Sequence, residues 1–361
     1  MASVPISEIK PGLKVASPVH TPLGGLLMPK GKILLPRDLD ILQAFLVTEV
    51  EIDGAEDKLG NKKEAAKGNS SNSPVTAEPI KTAANQFQSE YDRMLNLVKS
   101  AFQSVLASNL PVYELRNQLE LLIGQIKSYN ILTFTPRAMN EYDYVYHNAI
   151  LSALTSYTLA QWYGLPQKDW MQVGLAGLLH DIGNAKVDPK LLYSPLPLNS
   201  EETEEVRLHT TYGYQMLRSI AALNEGVRLA ALQHHEKING SGYPLRLTGD
   251  KIHVYAKIVA VADIFHAMTL KKRYRKAQSP YLVLEQIQSE AFGKLDPGVV
   301  QTFISKVTQL HNGMKVRLSN DAIGEIIFSD RDHPTRPMVS VQGDIINLEQ
   351  QRQIYIEEVL S

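Results

Sequence analysis

The sequence predicts a mainly α-helical protein with a small β-containing module at each end. Apolar residues recur at three- and four-residue spacings through most of residues 83–311, which is the period of helices that bury one face. Residues 1–54 and 312–361 instead alternate short apolar runs with turn residues, a pattern typical of strands. Between the first module and the helices, residues 55–82 are rich in Gly, Asn, Ser and Lys and too polar to bury a core, so we expect a flexible linker.

The helical region divides into two parts. Residues 83–140 contain amphipathic helices that lead into a larger domain at residues 141–311. These first helices would either pair with a second subunit or pack onto the domain that follows them. The C-terminal module at 312–361 carries no chemical motif, and packing, dimerisation and partner binding are all open roles for it.

The composition excludes several functional classes. The 361 residues include 37 Lys and Arg against 38 Asp and Glu, a formal net charge of -1, so there is no global electrostatic reason to bind DNA or an anionic membrane. The chain has no cysteine, which leaves His, Asp, Glu and water as the available metal ligands. No apolar run approaches the roughly 20 residues that span a bilayer, and the N-terminus lacks a signal-peptide pattern. We therefore expect a cytoplasmic protein without membrane insertion.

Histidines are concentrated in the larger helical domain. Clustered neutral imidazoles near carboxylates most often bind a transition metal, because burying them is otherwise costly. Two of these histidines lie in no motif and are expected to be ordinary hydrogen-bonded residues, namely His253 and His266. The histidines of the domain, seven of the ten in the chain, are His147, His180, His209, His234, His235, His253 and His266.

The His180-Asp181 pair follows the apolar stretch 173–179, which indicates the end of a buried helix. An aspartate at that position needs compensation, and its two oxygens can bridge two cations. Asp263 lies in a similar setting, inside the apolar run 258–265. The alternative for Asp263 is an N-capping or ion-paired aspartate, but an unpaired acid in the middle of such an apolar run is rare, which favours a metal ligand.

Asp143 and His147 form a further candidate pair. They are four residues apart, so on a helix their side chains lie on one face and could share one ion. Asp143 could equally interact with the dipole of the first helical turn.

These motifs, in this order, resemble the HD-GYP domain, a group of bacterial metal-dependent phosphodiesterases of the HD superfamily that hydrolyse cyclic di-GMP. The resemblance covers about residues 141–306, and residues 1–54 resemble the small module that often precedes this domain. It rests on His147, His180-Asp181-Ile182-Gly183, His209 with Gly213, His234-His235-Glu236, Gly240-Ser241-Gly242-Tyr243-Pro244 and Ala260-Val261-Ala262-Asp263-Ile264-Phe265.

The resemblance implies an HD-superfamily helical bundle with a metal centre in which Asp181 bridges two metal ions. Asp143 stands where some members carry a glutamate ligand to a third ion. Two or three divalent ions are therefore expected, and the ions of the family are usually iron or manganese. The metal ligands that the resemblance implies are Asp143, His147, His180, Asp181, His209, His234, His235 and Asp263.

The implied reaction is attack of a metal-bridging hydroxide on a phosphodiester of cyclic di-GMP, which yields linear pGpG and potentially GMP. Ions about 3.5 to 4 Å apart can hold and activate such a nucleophile. Members of the family commonly carry a lysine three residues after the HD aspartate, but Asn184 stands there in this chain, with Lys186 two residues further on. Either Lys186 or metal-bound water then supplies the proton to the leaving group, or turnover is weak.

Two further segments resemble the substrate-binding parts of the family. Gly242, Tyr243 and Pro244 form a loop that can approach a ligand closely, and Tyr243 could stack on a guanine or donate to a phosphate. Lys272 and Arg275 stand where the family presents basic residues to the phosphates, and their spacing would place them on one side of a helix. Without the resemblance, a plain loop and a solvated basic face would be the preferred interpretations.

The function predicted from the sequence is therefore hydrolysis of cyclic di-GMP. One alternative is a receptor that binds this dinucleotide, turns it over weakly and signals through a partner protein or a homodimer. Asn184 keeps that alternative open. Hydrolysis of a different nucleotide is a third, less favoured alternative, because the Gly-Tyr-Pro segment is present.

Overall fold

The chain forms two compact units, residues 1–78 and 79–361. The computed structural model describes residues 2–5, 9, 12–20, 26–35, 38, 39, 42, 47 and 49–53 of the first unit, and residues 83–107, 109–137, 140, 142–271, 277–330 and 333–360 of the second. The predicted linker at 55–82 lies outside the described residues, as do Lys272 and Arg275.

The first unit contains short antiparallel strand pairs. Strand β1 (Ala2–Pro5) pairs with β4 (Glu49–Ile52), and β2 (Val19–His20) pairs with β3 (Leu26–Met28). Alternate residues of β4 are buried, so the period of two predicted for this module is present. The buried apolar residues of the unit include Ile9, Val15, Met28, Leu34, Leu42, Val50 and Ile52.

The second unit is mainly helical. Its helices are α1 (Ala83–Ser104), α2 (Val112–Gly124), α3 (Tyr144–Trp162), α4 (Gln167–Leu179), α5 (Pro189–Leu192), α6 (Ser200–Arg207), α7 (His209–Leu217), α8 (Glu225–Gln233), α9 (Val254–Thr269), α10 (Pro280–Glu290) and α11 (Pro297–Val307). Short 3₁₀ turns occupy Val105–Ala107, Ile126–Ser128 and Ile182–Lys186. None of the helices within the described part of the chain is both long and apolar enough to cross a membrane.

Helix α3 lies at the centre of the helical unit and packs against α4 and α9. It is apolar almost all round, as expected of a helix surrounded by others, and most of its residues are buried. Gly177 allows α4 to approach it closely, because a Cβ atom there would lie 2.6 Å from the carbonyl oxygen of Ser152.

Helices α1 and α2 pack onto the domain that follows them. Phe87 and Tyr91 of α1, with Leu115 and Leu119 of α2, are buried in the same apolar core as α3, α4 and α9. Of the two alternatives for these amphipathic helices, the structure therefore shows the packing onto their own domain.

The C-terminal module is a five-stranded antiparallel sheet. It contains β5 (Lys315–Leu318), β6 (Ile323–Phe328), β7 (Met338–Val341), β8 (Asp344–Asn347) and β9 (Ile356–Leu360), in the spatial order β8-β7-β6-β5-β9. An ion pair of 2.6 Å between Arg336 and Glu285 of α10 links the sheet to the helices. The hydroxyl of Ser279 also donates to the carbonyl oxygen of Ile356 at 2.7 Å.

His253 and His266 are hydrogen-bonded residues, as expected from the sequence. His253 caps α9, where its Nδ1 accepts from the backbone N–H of Tyr255 at 3.2 Å. His266 is buried and its Nε2 lies 2.7 Å from the hydroxyl of Thr155 and 3.4 Å from that of Tyr129. Burial lowers the pKa of His266 to about 3, although the nearby carboxylate of Asp263 partly opposes the shift.

We expect His266 to make the protein sensitive to acid. The unfolded chain binds a proton at this residue below the ordinary pKa of about 6.5, whereas the folded protein does so only below about 3. The stabilising contribution of the neutral His266 ring is fully present above about pH 6.5. Lowering the pH to 5 should lower the free energy of unfolding by about 2 kcal/mol. Urea unfolding of His266→Gln at pH 7.5 and 5 should therefore show a smaller loss than wild type, and equal losses would contradict this assignment.

Candidate metal centre

The His180-Asp181 pair lies where α4 ends and the turn Ile182–Lys186 begins. Gly183 allows this turn to contact α7 directly, since a Cβ atom at that position would lie 1.9 Å from the carbonyl oxygen of His209 and 2.5 Å from the backbone nitrogen of Gly213. Gly183 thus has a steric role. It allows the turn that carries Asp181 to lie against the start of α7, where His209 is.

Four of the predicted ligands form a first cluster. Asp181 Oδ1 lies 3.3 Å from His209 Nε2 and 3.6 Å from His234 Nε2. His235 completes the group, in which the ligand atoms all lie within 4.8 Å of one another. Because His209 begins α7 and the two adjacent histidines follow α8, three separate segments of the chain build this cluster.

A second cluster contains His180, Asp181 and Asp263. His180 Nε2 lies 3.5 Å from Asp181 Oδ2 and 3.4 Å from Asp263 Oδ1. Asp181 therefore presents one oxygen to each cluster. That arrangement is the one expected of a carboxylate that bridges two cations.

Backbone carbonyls fix the orientation of three imidazoles. The Nδ1 atoms of His180 and His209 lie 2.8 and 2.7 Å from the carbonyl oxygens of Gly177 and Val206, and Nδ1 of His234 lies 3.1 Å from that of Ala230. A carbonyl oxygen can only accept, so Nδ1 carries the proton in each ring and, in the neutral rings, Nε2 has a free lone pair. Such second contacts are typical of metal-binding histidines.

The donor geometry fits shared metal ions. Ligands bound about 2.1 Å from one ion lie roughly 3.0 to 3.4 Å apart at octahedral or tetrahedral angles. The separations of 3.3 to 3.6 Å in the two clusters are close to this range. His209 Nε2 also faces His234 Nε2 at 3.3 Å, a contact between two lone pairs that a cation would stabilise. An all-nitrogen-and-oxygen set of this kind suits iron, manganese or zinc.

The protonation states follow from burial and neighbouring charge. Burial lowers the pKa of His209 and His235, and the neighbouring His234 lowers both further, so these two rings are neutral as metal ligands must be. Burial alone would raise the pKa of Asp181, but His180 and the other imidazoles hold it far below its usual value.

His180 behaves differently from His209 and His235. Burial would lower its pKa, but the carboxylates of Asp181 and Asp263 raise it to about 9. The same two carboxylates would stabilise a metal cation in place of this proton. Metal binding at His180 should therefore release a proton.

Asp143 and His147 lie at the start of α3 but in neither cluster of the described residues. The Oδ2 atom of Asp143 forms an ion pair of 2.7 Å with Lys99 Nζ of α1. His147 is buried, and its Nδ1 lies 2.8 Å from the hydroxyl of Tyr91. The structure thus gives Asp143 a cationic side chain as its partner.

Asn148 supports the second cluster from α3. Its Nδ2 donates to Asp263 Oδ1 at 2.7 Å, and the side chain is buried. This contact orients a carboxylate that would otherwise be free to rotate away from His180. Asn148 is therefore a positioning residue, which the sequence reasoning did not identify.

Replacing Asn148 with Ala should weaken metal binding by about 10- to 100-fold, the usual effect of removing a group that orients a ligand. The affinity can be measured by metal titration against a competing chelator. Asn109→Ala alters an exposed asparagine and should leave the affinity unchanged. Equal affinities of the Asn148 variant and wild type would contradict the positioning role of Asn148.

The predicted catalytic residues Asn184 and Lys186 belong to neither cluster. Asn184 is half-buried in the turn after Asp181, and its backbone N–H donates to the carbonyl oxygen of Asp181 at 2.9 Å. Lys186 is exposed, and its ammonium lies 4.3 Å from the ring centroid of Tyr212. The ammonium group is thus engaged with an aromatic ring.

Glu236 holds the Gly-Tyr-Pro segment beside the two clusters of candidate ligand side chains. This buried carboxylate accepts from the backbone N–H groups of Leu245 and Leu247 at 2.7 and 2.9 Å. Gly242 packs on the backbone of the same residue, because a Cβ atom there would lie 2.4 Å from Glu236 Cα. Glu236 was part of the recognised motif, but its role as the anchor of this loop could not be predicted.

Tyr243 lies directly beside the first cluster. Its ring stacks on His235 with a centroid separation of 4.7 Å, and the guanidinium of Arg207 lies 5.0 Å from the ring centroid. These contacts occupy ring surface that a guanine would need. Burial, reinforced by the charge of Asp181, raises the pKa of Tyr243, so its hydroxyl remains a hydrogen-bond donor.

Comparisons with known proteins agree with the geometry. A family model described as the HD domain matches residues 127–299. A cyclic di-GMP phosphodiesterase of Pseudomonas aeruginosa is 27% identical over 350 residues, which cover 94% of this chain and 84% of that protein.

Two further relatives match a smaller part of the chain. A cyclic di-GMP phosphodiesterase of Thermotoga maritima is 30% identical over 186 residues, 51% of this chain and 50% of that protein. A 3'3'-cGAMP-specific phosphodiesterase of Vibrio cholerae is 32% identical over 153 residues, 42% of this chain and 29% of that protein. The chain therefore contains an HD domain at residues 127–299, and its similarity to proteins named cyclic di-GMP phosphodiesterases agrees with the predicted resemblance to the HD-GYP domain.

Proposed function

We propose that this protein is a metal-dependent phosphodiesterase that hydrolyses cyclic di-GMP to linear pGpG. The observation that carries the proposal is the position of Asp181, whose two oxygens face two groups of side chains that could hold metal ions. The relatives of Pseudomonas and Thermotoga, both named cyclic di-GMP phosphodiesterases, support this substrate. A cytoplasmic location agrees with a nucleotide substrate.

HD domains bind divalent metals, and we propose that this one holds two ions of iron or manganese. His209, His234 and His235 would hold one ion, His180 and Asp263 the other, and Asp181 both. When bound, the ions would supply an activated water and offset the charge that develops on the phosphate during attack. A third ion is not required, because Lys99 already provides a positive charge for Asp143 at 2.7 Å.

The side chains around the ions would orient the phosphate and control protons. The hydroxyl of Tyr243, kept protonated by burial, can donate to a phosphate oxygen beside His235. Asn184 can donate a hydrogen bond but no proton, and Lys186 lies against Tyr212. Proton delivery to the leaving oxygen therefore depends on water rather than on the family's lysine.

Two alternatives make different predictions. A receptor would bind cyclic di-GMP with its metal ions in place and release no product, whereas the relatives named as phosphodiesterases favour turnover. The relative named for 3'3'-cGAMP makes that dinucleotide the most informative competing substrate.

The test is product formation by anaerobically purified protein loaded with Fe²⁺ or Mn²⁺. Cyclic di-GMP, 3'3'-cGAMP and cyclic di-AMP are supplied separately, and linear dinucleotides and mononucleotides are separated by chromatography. We expect linear pGpG from cyclic di-GMP as the fastest reaction, with GMP formed later if the linear product is cut again. Binding of cyclic di-GMP by fully loaded protein with no product would instead establish a receptor.

A further inference from the structure

A polar cavity of about 420 Å³ opens beside the Gly-Tyr-Pro segment. Its walls include Glu204 and Arg207 at the end of α6, and Tyr243 and Arg246 from the loop after α8. None of these four residues belongs to the two metal clusters. Resting on the function proposed above, we propose that this cavity binds one guanine base of cyclic di-GMP and that Glu204 and Arg207 recognise its edge.

The side chain of Tyr243 separates the cavity from the candidate metal centre. The ring of Tyr243 forms part of its wall, and the same ring stacks on His235 at 4.7 Å. Arg207 lies over this ring at 5.0 Å. A nucleotide whose phosphate reaches the first cluster can therefore extend its base past Tyr243 and into the cavity.

The paired charges at the cavity wall complement guanine. Arg207 Nη1 lies 2.5 Å from Glu204 Oε1, so a guanidinium and a carboxylate are presented side by side. Guanine offers two acceptors, O6 and N7, which suit arginine, and its N1–H and N2–H₂ donors suit a carboxylate. Adenine has a donor in place of O6 and no proton on N1. The arginine would therefore face a donor and the carboxylate would face an acceptor, and neither contact is a hydrogen bond.

The remaining walls suit a flat base attached to an anion. Leu208 and Pro244 contribute apolar surface to the cavity, and Leu208 is 43% exposed. Arg246 adds a second positive charge, which favours a ligand carrying phosphates. The volume lies within the range of roughly 300 to 1,000 Å³ that is typical of small-ligand sites.

The first test is substrate selectivity, measured as the ratio of kcat/KM for cyclic di-GMP to kcat/KM for cyclic di-AMP. Glu204→Gln keeps the size of the side chain but turns one acceptor into a donor, and it should lower the ratio by about tenfold or more. Glu205→Gln, which changes the neighbouring exposed carboxylate outside the cavity, should leave it unchanged. An unchanged ratio in the Glu204 variant would overturn the proposal.

The second test does not depend on hydrolysis. Equilibrium dialysis with GMP and AMP should show that wild type prefers GMP by about tenfold and that Glu204→Gln loses this preference. If wild type shows this preference but hydrolyses no cyclic dinucleotide, the result supports the base site and contradicts the proposed function. Equal binding of GMP and AMP would overturn the base site even in an active phosphodiesterase.

Discussion

Replacing Asp181 with Asn should remove metal binding and phosphodiesterase activity together. One oxygen of this carboxylate faces His209 and His234, and the other faces His180, so both clusters lose their shared anionic ligand. Bridging ions supply several kcal/mol of transition-state stabilisation, and we therefore expect kcat/KM for cyclic di-GMP to fall by about 10³-fold or more.

Metal content and activity should be measured on the same samples of this variant. Asp321→Asn is a matched control, because Asp321 is 91% exposed and its positive φ of 64° is one that asparagine tolerates. The control should retain both metal and activity. Full metal content or near-wild-type turnover in Asp181→Asn would exclude a bridging role for this carboxylate.

Replacing Glu236 with Ala should loosen the Gly-Tyr-Pro segment while leaving the metal ions bound. The backbone N–H groups of Leu245 and Leu247 would both lose a charged acceptor. We expect the free energy of unfolding to fall by about 2 kcal/mol. Misplacement of Tyr243 by about 1 Å should lower kcat/KM by about 10- to 100-fold.

Urea unfolding, metal analysis and kinetics separate this effect from loss of the metal centre. The Glu236 variant should keep its ions, because this residue belongs to neither cluster, whereas the Asp181 variant should not. Glu205→Ala removes an exposed carboxylate and should change neither stability nor activity. Wild-type stability of Glu236→Ala would show that its two backbone contacts contribute nothing.

The sequence was most informative where an acidic residue lies directly after, or within, a run of apolar residues. An aspartate after a run of apolar residues is costly without a partner, and both Asp181 and Asp263 indeed lie among histidines in the structure. The mainly helical fold with a β-containing module at each end was also predictable, because helices and strands differ in their apolar period. The family resemblance indicated which of the separate motifs come together in the fold. The spacing of the motifs along the sequence does not determine this.

Contacts between distant segments could not be predicted. Tyr91 lies 56 residues before His147, and Asn148 lies 115 residues before Asp263, yet each pair is hydrogen-bonded. Within its helix, Tyr91 simply fits an apolar face. The ion pair of Asp143 with Lys99 of α1 is likewise set by tertiary packing, and no local pattern indicates it.

The most direct test of a two-ion phosphodiesterase is to follow activity as metal is restored to chelated protein. Fe²⁺ or Mn²⁺ is added in steps under anaerobic conditions, and bound metal per chain and the rate of pGpG formation are measured on each sample. We expect activity to appear as the ions bind and to reach its maximum at two ions per chain. Full activity without bound metal, or no product from cyclic di-GMP at two bound ions, would contradict the proposed function.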